Sequence, residues 1–262
     1  MKKLINIIGI LAIMGAIISC GQSPQKNNKE EEKATKEVIV QKPNTLSQEE
    51  INQGWVLLFD GKSAENWRGY HQESFPTKGW IIKDGTLQVQ GSGKGEAGGG
   101  GDIITKKKYR NFEFSLEWKV SEGGNSGIFY LAQEKPNQPI WKSAPEMQIL
   151  DNEKHPDGRL GKDGNRAAGS LYDLIPGNKE VVKPAGEWNK IKILIYKGTV
   201  VHWVNDVQVL EYHLWTEDWN TMVLNSKFKD YEDFLNTAEE GYIGLQDHGD
   251  DVWFRNIKIK EL

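Results

Sequence analysis

The chain is short of several things, and each shortage closes off a class of function. It has a single cysteine in 262 residues, Cys20. The region that follows therefore holds no disulfide, although an exported protein could have used one, and it offers no thiolate to a metal. There is no basic excess: the formal net charge is −4, so the electrostatic footprint of a nucleic-acid binder is missing. The apolar stretch from Leu4 to Ile18 is too short for a comfortable membrane span. No H-E-x-x-H and no calcium-loop spacing occur. The Gly-rich stretch from Gly91 to Gly101 lacks the Lys-Ser/Thr of a phosphate-binding loop, and no helix follows it, so it carries no nucleotide role. Helical periodicity is nearly absent, and neither an internal repeat nor a second domain is visible.

What is present starts with a targeting segment over residues 1–20. Met1-Lys2-Lys3 is a charged n-region, Leu4 to Ile18 an apolar h-region, and Ile17-Ile18-Ser19-Cys20 resembles a bacterial lipobox. Cleavage there would leave Cys20 as a lipidated N-terminus. The expected location is the cell envelope, periplasmic or at the outer-membrane surface, with the protein tethered by lipid rather than spanning. Residues 21–44 are rich in Lys, Glu, Gln and Asn and cannot bury enough surface to fold alone, so they read as a flexible tether. The remainder, 45–262, reads as one domain.

That domain is built for strands. Ser47-x-x-Glu50 is a capping box and opens a short helix that Gly54 stops. Beyond it, Trp55 to Phe59 is an apolar strand. Trp80 to Lys83 and Thr86 to Gln90 form a hairpin across Asp84-Gly85. Phe112 to Val120 alternates apolar and polar without a fault. Ser126 to Gln133 follows, with Phe129 and Leu131 on one side and Ile128 and Tyr130 on the other. A polar loop from Asp151 to Ala168 leads to a short strand at Gly169 to Leu174. Later come Trp188 to Tyr196 and a hairpin across Asn205-Asp206. An aromatic excursion runs from Tyr212 to Asn236, with some helix near Tyr231 to Leu235. Two closing strands end the chain. Many short strands with regular turns predict an all-β sandwich or barrel. Ten Trp and eight Tyr suit such a core, and they also suit stacking on sugar faces.

The most informative stretch is Pro145-Glu146-Met147-Gln148-Ile149-Leu150-Asp151. Side chains alternate along a strand, so Met147 and Ile149 face a core while Glu146 and Gln148 share the opposite face. That face meets either water, the ordinary arrangement for a lone Glu, or a site. We read it as a sugar cleft in which Glu146 carries the chemistry.

Five motifs in order carry a family resemblance: Gly54-Trp55-Val56-Leu57-Leu58-Phe59-Asp60-Gly61, Gly124-Asn125-Ser126-Gly127-Ile128-Phe129-Tyr130, the stretch at 145–151, Gly169-Ser170-Leu171-Tyr172-Asp173-Leu174-Ile175-Pro176, and Gly244-Leu245-Gln246-Asp247-His248-Gly249 with Val252-Trp253-Phe254-Arg255-Asn256-Ile257. Together they resemble the 3-keto-disaccharide hydrolase family, common in Bacteroidetes lipoproteins. Asn205-Asp206 stands where the family would have Asn-Gly, which touches only a turn. The resemblance implies a concanavalin A-like jelly roll of two antiparallel sheets, the concave one forming the cleft. It also implies action on glycosides already oxidised at C3 by a partner oxidoreductase.

An ordinary glycosidase needs two carboxylates flanking the bond. The strand at 146–148 supplies one acid and one amide, and Asp151 has the opposite parity. A 3-keto sugar does not need the pair, because the ketone acidifies the C2 proton: one base, a donor to the C3 oxyanion and an acid for the leaving oxygen suffice, with no cofactor. The expected base is Glu146. Gln148 is expected to hold a hydroxyl or the oxyanion, and His248 to serve as acid with Asp247 orienting it. Asn125, Tyr130, Tyr172, Arg166 and Lys227 are expected sugar contacts. Trp203 is either core or platform. Asp151, His155 and Asp157 cluster in one loop, which we read as solvated, with no metal. Two alternatives stay open: a non-catalytic carbohydrate-binding module on the same fold, and a two-carboxylate glycosidase.

Overall fold

The computed structural model describes residues 41–93 and 98–262. The targeting segment with Cys20, the tether up to residue 40 and residues 94–97 of the Gly-rich stretch lie outside the described residues. Asn44, at the expected end of the tether, is already part of the domain. Its backbone N–H donates to the Asn256 side chain (2.5 Å), and its amide donates to the Gly85 carbonyl (2.7 Å).

The helix at the start, α1 (Gln48–Asn52), forms as its capping box requires. Ser47 accepts from the Glu50 N–H, and the Glu50 carboxylate accepts from the Ser47 N–H. The strands in order are β1 (Val56–Leu57), β2 (Trp67–Gly69), β3 (Trp80–Lys83), β4 (Thr86–Val89), β5 (Ile103–Thr105), β6 (Phe112–Val120), β7 (Asn125–Ala132), β8 (Glu146–Leu150), β9 (Asn189–Tyr196), β10 (Thr199–Val204), β11 (Val207–His213), β12 (Tyr242–Leu245) and β13 (Val252–Glu261). Hairpin turns fall where the sequence placed them. Asp84 and Gly85, and likewise Asn205 and Asp206, take the positive φ values that a type I′ turn needs. Asp206 holds that conformation without glycine.

All pairings are antiparallel. One sheet runs β11-β10-β9-β6-β13-β4-β3 with β1 added on β13, and the other runs β2-β5-β12-β7-β8. The inner faces meet in a core of Trp67, Phe114, Trp118, Tyr130, Met147, Ile193 and Phe254 and their neighbours, all buried. This is the jelly-roll sandwich. Among the described residues no helix is long and apolar enough to cross a membrane.

Three segments differ from expectation. Only Val56 and Leu57 of the first apolar run pair, because the flanking Trp55, Leu58 and Phe59 are anchored by burial. Residues 169–174 form no regular strand. They instead cap the edge of β8 with three backbone hydrogen bonds, Gly169 N–H to the Gln148 carbonyl, Gln148 N–H to the Ser170 carbonyl and Tyr172 N–H to the Glu146 carbonyl. The β8 edge of the smaller sheet is thereby closed. The aromatic excursion holds α2 (Glu217–Leu224) as well as the expected short helix α3 (Glu232–Leu235). Thr216 caps α2, and Trp219 and Val223 bury its inner face.

Candidate active site

The outer face of the smaller sheet is divided in two by side-chain size. In the β7–β8 register Phe129 lies opposite Glu146 and Gly127 opposite Gln148. Over Phe129 the chain between β7 and β8 folds back, and Ile140 and Ala144 bury themselves against Phe129, Ile104 and Ala132. Over Gly127 nothing of the kind can happen, because the Glu146 carboxyl occupies the space. A Cβ at position 127 would stand 1.9 Å from Glu146 Oε1. The uncovered half becomes the floor of a cleft of about 460 Å³, a size usual for small-ligand sites.

Loops raise the walls. From one side come Asp157 and Arg166 of the long polar loop, with Tyr172. The Tyr172 hydroxyl donates to Asp157 Oδ2 (2.9 Å), and Arg166 pairs with Asp157 (3.1 Å) and, closely, with Asp173. Lys227, just after α2, sits 4.1 Å from the Tyr172 ring centre and 3.8 Å from Asp173. From the other side come Asp102 before β5 and Gln246, Asp247 and His248 after β12. The third wall is aromatic: Trp141, Phe228 and Tyr231.

Electrostatics single out two carboxyls. Burial pushes Glu146 up to about 8. Lys227 pulls it back in part, while Asp102 and Asp157 push it further. With the amide of Gln148 turned so that its nitrogen meets acceptors, it donates to Glu146 Oε1 (3.3 Å) and to the Ser126 carbonyl (3.1 Å). Burial raises Asp102 to about 7, against one backbone N–H bond from Asp247 (3.0 Å). Burial also lowers Lys227 below the usual lysine range, partly offset by Asp173. Beneath the floor lie two buried acceptors with no donor among the described residues, Asn125 Oδ1 and Gln246 Oε1. An orphaned buried acceptor costs about 1–3 kcal/mol, and a ligand hydroxyl would satisfy each.

The structure thus brings Glu146, Gln148, Asn125, Tyr172, Arg166, Lys227, Asp247 and His248 to one cleft. It does not bring Tyr130 there. Tyr130 follows Ile128 in parity, so its side chain enters the inter-sheet core, where its hydroxyl meets Tyr212 (2.7 Å) and His202 (3.0 Å). The expected role of Asp247 is also corrected. Its carboxylate accepts from the Gly100 and Gly249 N–H groups (2.7 and 3.1 Å), not from His248. It pins the Gly-rich loop, which can close this tightly only because Gly98 has no side chain: a Cβ there would lie 2.1 Å from Asp247. Sequence reasoning missed Asp102, Gln246 and the aromatic wall. Asp102 directly follows the Gly-rich stretch that ends at Gly101, with no motif of its own, and only the pairing of β5 with β12 carries it here.

Two further groups of residues singled out in the sequence have defined places. Trp203 points outward from the larger sheet, half-buried, with Lys192 4.1 Å from its ring centre. It borders a separate groove of about 450 Å³ beside α1, where Glu50 and Lys258 neutralise each other. The loop triad Asp151, His155 and Asp157 does not converge. His155 approaches His248 and Asp250 instead. His155 Nδ1 accepts the Asp157 N–H (3.2 Å).

Known proteins share this architecture. A family model described as a 3-keto-alpha-glucoside-1,2-lyase-like domain matches residues 54–260. A Bacteroides thetaiotaomicron protein named 3-keto-disaccharide hydrolase is 47% identical over 290 residues, covering 100% of both chains. Among solved structures, a candidate glycosyl hydrolase from Parabacteroides distasonis is 31% identical, with a TM-score of 0.74 over 84% of this chain and 100% of that one. Another from the same organism is 28% identical, with a TM-score of 0.62 over 79% and 99%. With a family match running from β1's flank to the end of β13 and a full-length relative of that identity, the chain belongs to the 3-keto-alpha-glucoside-1,2-lyase-like domain family.

Proposed function

We propose that this protein cleaves glycosides oxidised at C3, with Glu146 as the base. The observation that carries the reading is the Glu146 carboxyl itself, buried over Gly127 with its proton affinity raised and no cation in direct contact. A base of that kind suits the moderately acidic C2–H beside a ketone.

The steps balance as follows. Glu146 takes the C2 proton, and the C–H electrons form the enolate, placing charge on the C3 oxygen. Lys227 lies on Glu146's side of the cleft and stabilises that charge, while Gln148 holds Glu146 in place. The enolate electrons then expel the C1 oxygen, which leaves with a proton from His248 or Asp102. Water adds across the resulting C1=C2 bond, hydroxyl to C1 and proton to C2, giving the free 3-keto sugar. Asn125 and Gln246 accept from the sugar's remaining hydroxyls. They cannot face C3, since a ketone has no proton to give them. The substrate must be supplied by an oxidoreductase acting at C3. The family description and the name of the Bacteroides thetaiotaomicron relative support this chemistry.

Asp102 favours a second reading, a two-carboxylate glycosidase acting on ordinary sugars with Asp102 as acid. One experiment separates the two. The protein is incubated with a 3-keto-disaccharide and with its unoxidised parent, and the released monosaccharide is measured. Release from the keto form alone, lowered about 10²- to 10⁴-fold by Glu146→Gln, is expected. Comparable release from the parent would transfer the case to the second reading.

A further inference from the structure

Residues 169–172 do more than close the edge of β8. They form a strap bonded to both sheets. On one side are the backbone hydrogen bonds to β8, including the one from the Tyr172 N–H to the carbonyl of Glu146 itself (2.9 Å). On the other side the strap lies against the larger sheet. Gly169 has a φ of 86°, and a Cβ there would stand 2.9 Å from Val204 Cγ2 of β10. Glycine alone lets the backbone come so close in that conformation. Gly169 is thus held twice. Its N–H donates to the Gln148 carbonyl (2.8 Å), and its carbonyl meets Nδ1 of His202 on β10 (3.3 Å).

His202 is fully buried between the sheets, and no step of the reaction above uses it. Its protons can be placed one by one. A carbonyl has no proton to give, so Nδ1 carries the hydrogen and donates to Gly169. Burial pushes the imidazole down to about 4, so the ring is neutral and Nε2 keeps a lone pair. Nε2 accepts from the Tyr130 hydroxyl (3.0 Å), and the Tyr130 oxygen accepts from the hydroxyl of Tyr212 on β11 (2.7 Å). Both phenol rings stand edge-on to the imidazole, at 86° and 85°. The chain runs one way, from Tyr212 through Tyr130 and His202 to the strap. Apolar side chains of the same shape would serve stability as well. The distinctive product of this network is a fixed position for Gly169.

Resting on the cleavage chemistry proposed above, we infer that His202 is a positioning residue for the cleft, setting through the strap where Glu146 and Tyr172 stand. A shift of Gly169 carries Tyr172 with it. The Tyr172 N–H holds the Glu146 backbone, its hydroxyl holds Asp157, and Lys227 sits 4.1 Å from its ring centre. The base and the cation that meets the C3 oxyanion are therefore both referred to one strap. They act on charge that develops in the transition state, so their displacement is felt in kcat more than in KM.

The test compares four variants of the full protein. An asparagine amide takes the place of Nδ1, and a glutamine amide that of Nε2. His202→Asn therefore keeps the donor to Gly169 and loses the bond to Tyr130, and His202→Gln does the reverse. His202→Leu loses both, and Tyr130→Phe leaves the Gly169 bond alone. On a 3-keto-disaccharide, kcat should fall about tenfold in His202→Gln and His202→Leu with KM within about twofold of the wild type. It should stay within about threefold in His202→Asn and Tyr130→Phe, although all four variants melt lower. Amide hydrogen exchange reads the strap without turnover. Relative to the Phe114 amide of β6, the Gly169 and Tyr172 amides should exchange about tenfold faster in His202→Gln than in His202→Asn. A kcat that simply follows melting temperature, or His202→Asn as slow as His202→Gln, would leave His202 a structural residue and overturn the inference. So would a kcat contrast without the exchange contrast, since His202 would then act by a route other than the strap. Should His202→Leu fail to fold, the asparagine–glutamine contrast decides. If the exchange contrast appears but the wild type cleaves no keto substrate, the positioning of the strap stands and the proposed reaction falls. Turnover by the wild type with neither contrast keeps the reaction and removes the positioning.

Discussion

A carboxylate that takes a proton from carbon does best when its own proton affinity is high near the working pH. Glu146 meets that condition chiefly through burial, with Asp102 and Asp157 adding to it, which has consequences for rate and for stability. As the base it must be ionised, so kcat/KM for a 3-keto aryl glycoside whose acidic leaving group needs no proton from His248 or Asp102 should rise with pH through a midpoint of about 8 and then level. A rate that fell through the same midpoint would make Glu146 the acid instead. The stability effect runs the other way. Between the ordinary value of 4.5 and about 8 the folded protein keeps a proton that the unfolded chain has released, so stability is lost as pH rises across that window. Glu146→Gln removes the slope: its melting temperature should exceed that of the wild type at about pH 9 and converge with it below about pH 4.5. Melting curves across that range, beside the pH–rate profile, check both.

At the scale of elements, one period-two rule explains both what the sequence disclosed and what it hid. Alternation on β8 put Glu146 and Gln148 on one face and Met147 and Ile149 on the other, as found. The same rule on β7 pairs Tyr130 with Ile128, so its core position was legible and chemical appeal outweighed it. What alternation cannot carry is which strands become neighbours. The order β5-β12-β7-β8 brings Asp102, Gln246, Gly127 and Gln148 into a row with the Glu146 carboxyl leaning over Gly127, and nothing local to residues 98–102 announces it. The aromatic wall was hidden for the same reason, since Trp141 and Tyr231 meet only through the packing of α3 on the loop before β8. Gly127 is where this element-level geometry can be tested. Its backbone suits any residue in a strand, yet an added Cβ would fall 1.9 Å from Glu146 Oε1 and 2.7 Å from its Cδ. Gly127→Ala should therefore keep the sheet and its melting temperature while displacing the carboxyl, lowering kcat about a hundredfold. Undiminished kcat in a folded variant would show that the rate does not depend on Glu146 lying over Gly127.

At the scale of the whole molecule, the first described residues and the cleft belong to different sheets. Asn44 docks on Asn256 of β13 and on the turn between β3 and β4, so the chain leaves the domain from the larger sheet. The cleft opens on the outer face of the smaller one. We propose that Cys20 is lipidated and that the anchor sets location without contributing to catalysis. Cys20→Ser should then move the protein from the membrane fraction to the soluble one and abolish incorporation of labelled fatty acid. The kcat/KM of the released enzyme on a soluble 3-keto-disaccharide should match that of the membrane-bound form within about twofold, because a small soluble substrate reaches the cleft by diffusion in either form. Persistence of Cys20→Ser in the membrane fraction would remove the lipid anchor from the picture. A large rate change on release would mean that the membrane surface shapes the cleft, and the proposal that the anchor sets location alone would fall.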